Sequence, residues 1–216
     1  MQGIDEQRLQ RSISVRNDPN YIKAKVTFRF LLLFGLGMLL GGELFRSGYV
    51  DRSALDVSFI KNHFESIFVG SETFSDKLLT ALILSEVEIR YLFLIFISGF
   101  TYFCVVASGF MMLARGFLVG FSTSCLIYLY RVYFEAVDRY EVIIFVAFQI
   151  VSSIILICLS VSAYIFSFDF SSIKRNNYVL RRSPVIYHYV FSFIITLGGL
   201  LINSFLYCLL LECLKA

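Results

Sequence analysis

The sequence predicts an all-α membrane protein: a bundle of five transmembrane helices with a central helical hairpin and amphipathic helices in the first extracytoplasmic loop. Three observations predict it. Of the 216 residues, 58% are hydrophobic and 16% charged, and the mean hydropathy is +0.76, which is more apolar surface than one soluble domain can hide. The apolar residues fall into runs long enough to cross a hydrocarbon core. Basic residues gather in short segments beside those runs, the bias that orients membrane helices. The net charge of +3 is spread along the chain and leaves no nucleic-acid footprint.

Residues 1–27 form a basic arm that carries Arg8, Arg11, Arg16, Lys23 and Lys25, with no signal-peptide pattern, so the N terminus is expected in the cytoplasm. Ile4, Leu9, Ile13 and Val15 leave open a weakly amphipathic helix lying on the membrane before Pro19. The first span is 28–45. Gly37 and Gly41 stand four apart in it, the small-xxx-small spacing that lets helices approach closely in lipid. The extracytoplasmic loop 46–90 repeats apolar residues at helical spacing, Val57, Ile60, Phe64, Ile67 and Phe68, then Phe74, Leu78 and Leu82 after Gly70 and Ser71. Two amphipathic helices follow from that pattern, with Ile60, Phe64 and Phe68 as candidate anchors for a docking partner.

Residues 91–114 contain no charge and, at 1.5 Å per residue, extend about 36 Å, enough for a core of about 30 Å. Arg115 and Gly116 then interrupt the apolar run. An arginine rests at low cost only at a water interface and a glycine permits a sharp turn, so the pair is read as the tip of a hairpin, with Gly109 and Gly120 flanking it. Gly116 and Gly120 repeat the small-residue spacing of the first span. The third span, 116–134, is short. It is either a tilted span or a re-entrant half-helix, and the long runs 142–168 and 185–211 complete the set. The loop 169–184 between them carries Lys174, Arg175, Arg181 and Arg182 against Asp169 alone, which favours the cytoplasm and therefore five full spans.

No chemistry is legible in the spans. The cysteines 104, 125, 158, 208 and 213 show no metal-ligand or redox spacing, and neither histidine has a neighbour to ligate with it. No phosphate-binding loop is present. No catalytic residue, cofactor or metal is expected. Gln149, Asn203 and the serines of the spans are read as hydrogen-bonders between helices, and the tyrosines, among them Tyr187 and Tyr189, as an interfacial belt.

Arg90-Tyr91-Leu92, Gly99, the run Arg115-Gly116-Phe117-Leu118-Val119-Gly120-Phe121, Gln149 in the fourth span and Gly198-Gly199 in the fifth resemble, in order and spacing, the stage II sporulation protein M (SpoIIM, DUF95) family. Phe148 stands where members often have proline. The resemblance implies a non-enzymatic protein of a bacterial cell membrane, with Gly198 and Gly199 as packing residues. It implies one of two roles: a scaffold that anchors cell-wall hydrolases during sporulation engulfment, or a permease-like subunit of an ABC-type export, bacteriocin maturation or immunity system working with a separate ATPase. Arg181 and Arg182 are the candidate contact for that ATPase, and self-association is open in either role. The spans show no charge in their interiors, which favours the scaffold, since polar pathways usually carry ionisable groups.

Overall fold

The computed structural model describes residues 19–47, 79, 81–83, 85–132, 139–175 and 184–215. Five helices carry the fold: α1 (Pro19–Arg46), α2 (Glu86–Ser98), α3 (Cys104–Val132), α4 (Arg139–Arg175) and α5 (Pro184–Lys215). There is no strand among the described residues. Within these helices four segments are long and apolar enough to cross a membrane, Asn20–Arg46, Cys104–Tyr128, Val142–Phe170 and Pro184–Leu210. The described part of the chain is thus all-helical, with the makings of a multi-pass membrane protein. Proline opens both α1 and α5, where its missing N–H leaves no helical hydrogen bond unmade.

The centre of the chain differs from the expected hairpin. Arg115 and Gly116 lie in the interior of α3, which is helical without a break from Cys104 to Val132. The turn comes instead at residues 99–103, inside the stretch read as a span from 91 to 114. Gly99 donates its N–H to the carbonyls of Ile95 and Phe96, and Thr101 closes the turn with N–H and Oγ1 bonds to the carbonyl of Ser98. The other elements satisfy what remains: Tyr189 Oη donates to the Phe96 carbonyl at 2.9 Å, and Ser167 Oγ donates to that of Thr101 at 2.8 Å. Tyr189 is therefore buried in the bundle and no part of an interfacial belt. No charged residue marks this turn. What makes it is hydrogen bonding, in part local and in part supplied by α4 and α5.

α2 is only 13 residues, roughly 20 Å of helix. Residues 81–83 are also helical, and the ladder runs through the junction, from Ser85 N–H to the Ala81 carbonyl and from Ile89 N–H to that of Ser85. The helix therefore enters the bundle from the segment assigned to the extracytoplasmic loop and brings Glu86, Glu88 and Arg90 with it.

Glycine contacts fix the direction of α1 and α3. A Cβ on Gly37 would stand 2.1 Å from the Leu113 carbonyl oxygen, one on Gly41 2.1 Å from that of Phe117, one on Gly116 2.1 Å from that of Phe34 and one on Gly120 2.1 Å from that of Met38. The two small-residue stripes face each other and the backbones touch, the packing that association in lipid rewards. Gly109 meets Leu33 at the near end, and the Phe45 ring meets those of Phe121 and Tyr128 at the far end. Residue numbers rise together, so α1 and α3 are parallel. α4 and α5 are antiparallel, with Tyr189 stacked on Phe166, Ser192 bonded to Ser162 and Tyr207 against Phe148. Gly198 would meet nothing with an added Cβ and Gly199 only the Ile155 side chain at 3.7 Å, so neither marks a close approach.

Two outcomes test this arrangement. In a cysteine-free variant, Tyr102→Cys in the turn is expected to react with a membrane-impermeant thiol reagent in opened vesicles, and Leu118→Cys is not; a turn at Arg115 would reverse the pattern. Gly116→Val is expected to destabilise the purified protein by at least about 1–3 kcal/mol through overpacking, whereas Gly198→Ala leaves the thermal unfolding midpoint in place.

Candidate functional site

Buried polar residues from four helices meet around Glu88 and Arg115. Along one face of the helix that includes α2, Ala81, Ser85, Glu88, Leu92 and Ile95 recur every three or four residues and are all buried. Glu88 occupies the turn of that stripe that faces α3. Arg115, opposite, donates from Nη2 to Glu88 Oε1 at 2.7 Å, and the two side chains are only 4% and 3% exposed. The same nitrogen donates to Oε1 of Gln149 on α4, so one guanidinium group ties three helices together.

Its depth follows from the glycine register. Arg115 precedes Gly116, which lies against Phe34 and Met38 of α1. Those residues fall between Arg29 and Glu43, the charges that bound the apolar stretch of α1. The pair therefore sits within the hydrocarbon levels of the bundle. A single charge there would be costly, and pairing is what makes it tolerable. Compensation is incomplete: Glu88 Oε2 and Arg115 Nε are buried without a hydrogen-bond partner.

A second polar contact adjoins the first. Asn203 on α5 donates from Nδ2 to Ser152 Oγ at 2.9 Å and to the Phe148 carbonyl at 3.2 Å, and Ser153 Oγ donates to the Gln149 carbonyl at 2.7 Å. Polar bonding at this level thus continues from α2 through α3 and α4 to α5. A smaller cluster lies at the turn, where Ser98 Oγ is 3.2 Å from Ser108 Oγ and both hydroxyls are within reach of the Cys104 thiol. All five cysteines are free thiols. Among the described residues no three His, Cys, Asp or Glu side chains come together as a metal site would require. Chemically, the layer carries charge and hydrogen bonds between helices.

The structure thus moves Arg115 from a membrane boundary to the polar centre and places Gly37, Gly41, Gly116 and Gly120 in one helix contact. The expected absence of charge inside the bundle is overturned by Glu88 and Arg115. Ile60, Phe64, Phe68, Arg181 and Arg182 lie outside the described residues. Sequence reasoning missed Glu88 because three charges within five residues read as a loop. The signal that finds it is the Ala81-Ser85-Glu88-Leu92-Ile95 stripe, which runs through those charges at helical spacing.

A mutational cycle measures the pair. Arg115→Met or Glu88→Leu alone leaves a bare buried charge and is expected to cost about 3–5 kcal/mol. The double replacement removes both charges and is expected to return most of that stability, read as the midpoint of thermal unfolding in detergent. Equal losses in the singles and the double would mean that no charge pairing is at work. Compared with known protein families, with curated proteins and with solved structures, the chain matches none.

Proposed function

We propose that this chain is a non-catalytic membrane anchor of a multiprotein envelope complex, of the SpoIIM type, which holds extracytoplasmic proteins such as cell-wall hydrolases at the membrane. The observation that carries the reading is the closure of the polar layer. Arg115 and Glu88 are engaged with each other and nearly inaccessible, so the ionisable groups at this level serve the cohesion of the bundle and contact no passing solute. A protein whose interior is spent on its own architecture acts through its surfaces. The partner surface is the segment between α1 and α2, with Ile60, Phe64 and Phe68 as anchors.

One observation favours a second reading, a permease-like subunit of an ABC-type exporter or bacteriocin system. Ionisable side chains at membrane depth commonly mark transport pathways, and Glu88 and Arg115 are such side chains. In that role the ion pair opens during a cycle, and Arg181 and Arg182 dock a cytoplasmic ATPase.

The double variant Glu88→Leu with Arg115→Met separates the two, because it keeps the bundle and removes the charges. In-cell cross-linking followed by mass spectrometry is expected to recover the same extracytoplasmic partners from this variant as from the wild type, and to lose them from Phe64→Asp with Phe68→Asp. Recovery of an ATPase that Arg181→Glu with Arg182→Glu releases, with no extracytoplasmic partner in any sample, would replace the anchor by the transport reading.

A further inference from the structure

The face of α2 turned away from the bundle carries a second charge pair that its surroundings do not explain. Glu86 and Arg90 are hydrogen-bonded to each other one helical turn apart, with side chains 58% and 71% exposed. They flank Glu88 in sequence, so they lie within about one turn of the buried layer, at a level where the outer surface of the bundle meets hydrocarbon. Leu79 and Ile83 on one side and Ile97 on the other continue the same exposed face, with Phe93 at its edge, half-exposed and touching Phe193 of α5. The spacing Leu79, Ile83, Glu86, Arg90, Phe93, Ile97 alternates four and three, the repeat by which one helix seats against another. A face meant only for lipid would be apolar throughout.

We propose that a second copy of this chain covers this face, with the two α2 helices side by side and running in the same direction. The charges specify that occupant. One stripe carries both signs one turn apart, and two copies inserted in the same orientation meet across a two-fold axis along the membrane normal. Identical residues face each other across that axis, so each Glu86 reaches the other copy's Arg90 diagonally, about one turn away, as it already reaches its own, and the two pairs join into one neutral four-charge network between protomers. The apolar positions above and below pack as the layers of a short parallel seam. The opposite face of α2 is already engaged by the Glu88 layer, so the seam leaves the bundle intact.

Complementary charge variants test this without preserving the pair inside either chain. Glu86→Arg makes one stripe wholly basic and Arg90→Glu makes the other wholly acidic. Single-molecule photobleaching in dilute proteoliposomes is expected to show two-step bleaching for the wild type and one-step bleaching for each variant alone. Co-expressed with different tags, the two variants are expected to capture each other at least roughly tenfold better than either captures itself, a difference of about 1.4 kcal/mol. In a cysteine-free chain, which retains both native charges, Phe93→Cys is expected to form an interchain disulfide in membranes and Leu92→Cys, on the buried face, is not. One-step bleaching of the wild type overturns the proposal. So does a mixed pair that associates no better than the separate variants, or cross-linking at position 92 equal to that at 93.

Discussion

One guanidinium group organises this bundle. Arg115 bonds Glu88 on α2 and Gln149 on α4, and in a medium without water it has few alternatives. The attraction between helices in lipid is modest, because hydrocarbon tails solvate leucine as well as another leucine does. A charge with one acceptable address is a stronger constraint. It fixes how far α2 penetrates and which way it is rotated, and it selects the face of α4 that turns inward. The geometry around it is also specific: the Asn203 to Ser152 contact carries hydrogen bonding on to α5.

The glycine contact between α1 and α3 complements this with shape. Backbone against backbone gives close dispersion contacts where the two glycine stripes cross, and no side chain could be added at Gly37, Gly41, Gly116 or Gly120 without separating the helices. Arg115 and Gly116 are neighbours in sequence and, about 100° apart around α3, turn one to the polar layer and the other to α1. The dipeptide is central to the fold for a reason other than turning the chain. At the opposite end of the molecule, aromatic rings do the corresponding work. Phe96, Phe100, Phe166 and Tyr189 pack together with centroids between 4.2 and 5.7 Å.

Much of this was legible before any coordinates. Apolar runs carry α4 and α5 openly, and the four-residue glycine spacings mark the surfaces by which α1 and α3 meet. What misled was a sound rule applied to half of a pair. Arginine in a hydrophobic run belongs at an interface unless a carboxylate waits at the same depth, and that carboxylate lay in a segment whose charge density reads as a loop. With Glu88 assigned to the loop, Arg115 has no partner at its depth and reads as a boundary, and the turn falls beside it. The true turn has no charged residue of its own. Beside its local bonds from Gly99 and Thr101 it takes two from Tyr189 and Ser167, far along the chain, and no local pattern announces partners supplied from so great a distance.

The buried pair also bears on how the chain is made. A ribosome delivers Glu88 first, Arg115 afterwards and Gln149 last, while the membrane insertion machinery must commit each segment as it emerges. Neither α2 nor the first half of α3 can enter lipid alone without carrying a naked charge into it. They can enter together, as a closed pair joined by the short turn at 99–103. α1, already inserted, must wait with its glycine groove unfilled until α3 arrives. Assembly of this protein is therefore a matter of timing: the unit of insertion is a pair of helices, and the first helix completes its packing only when the third is delivered.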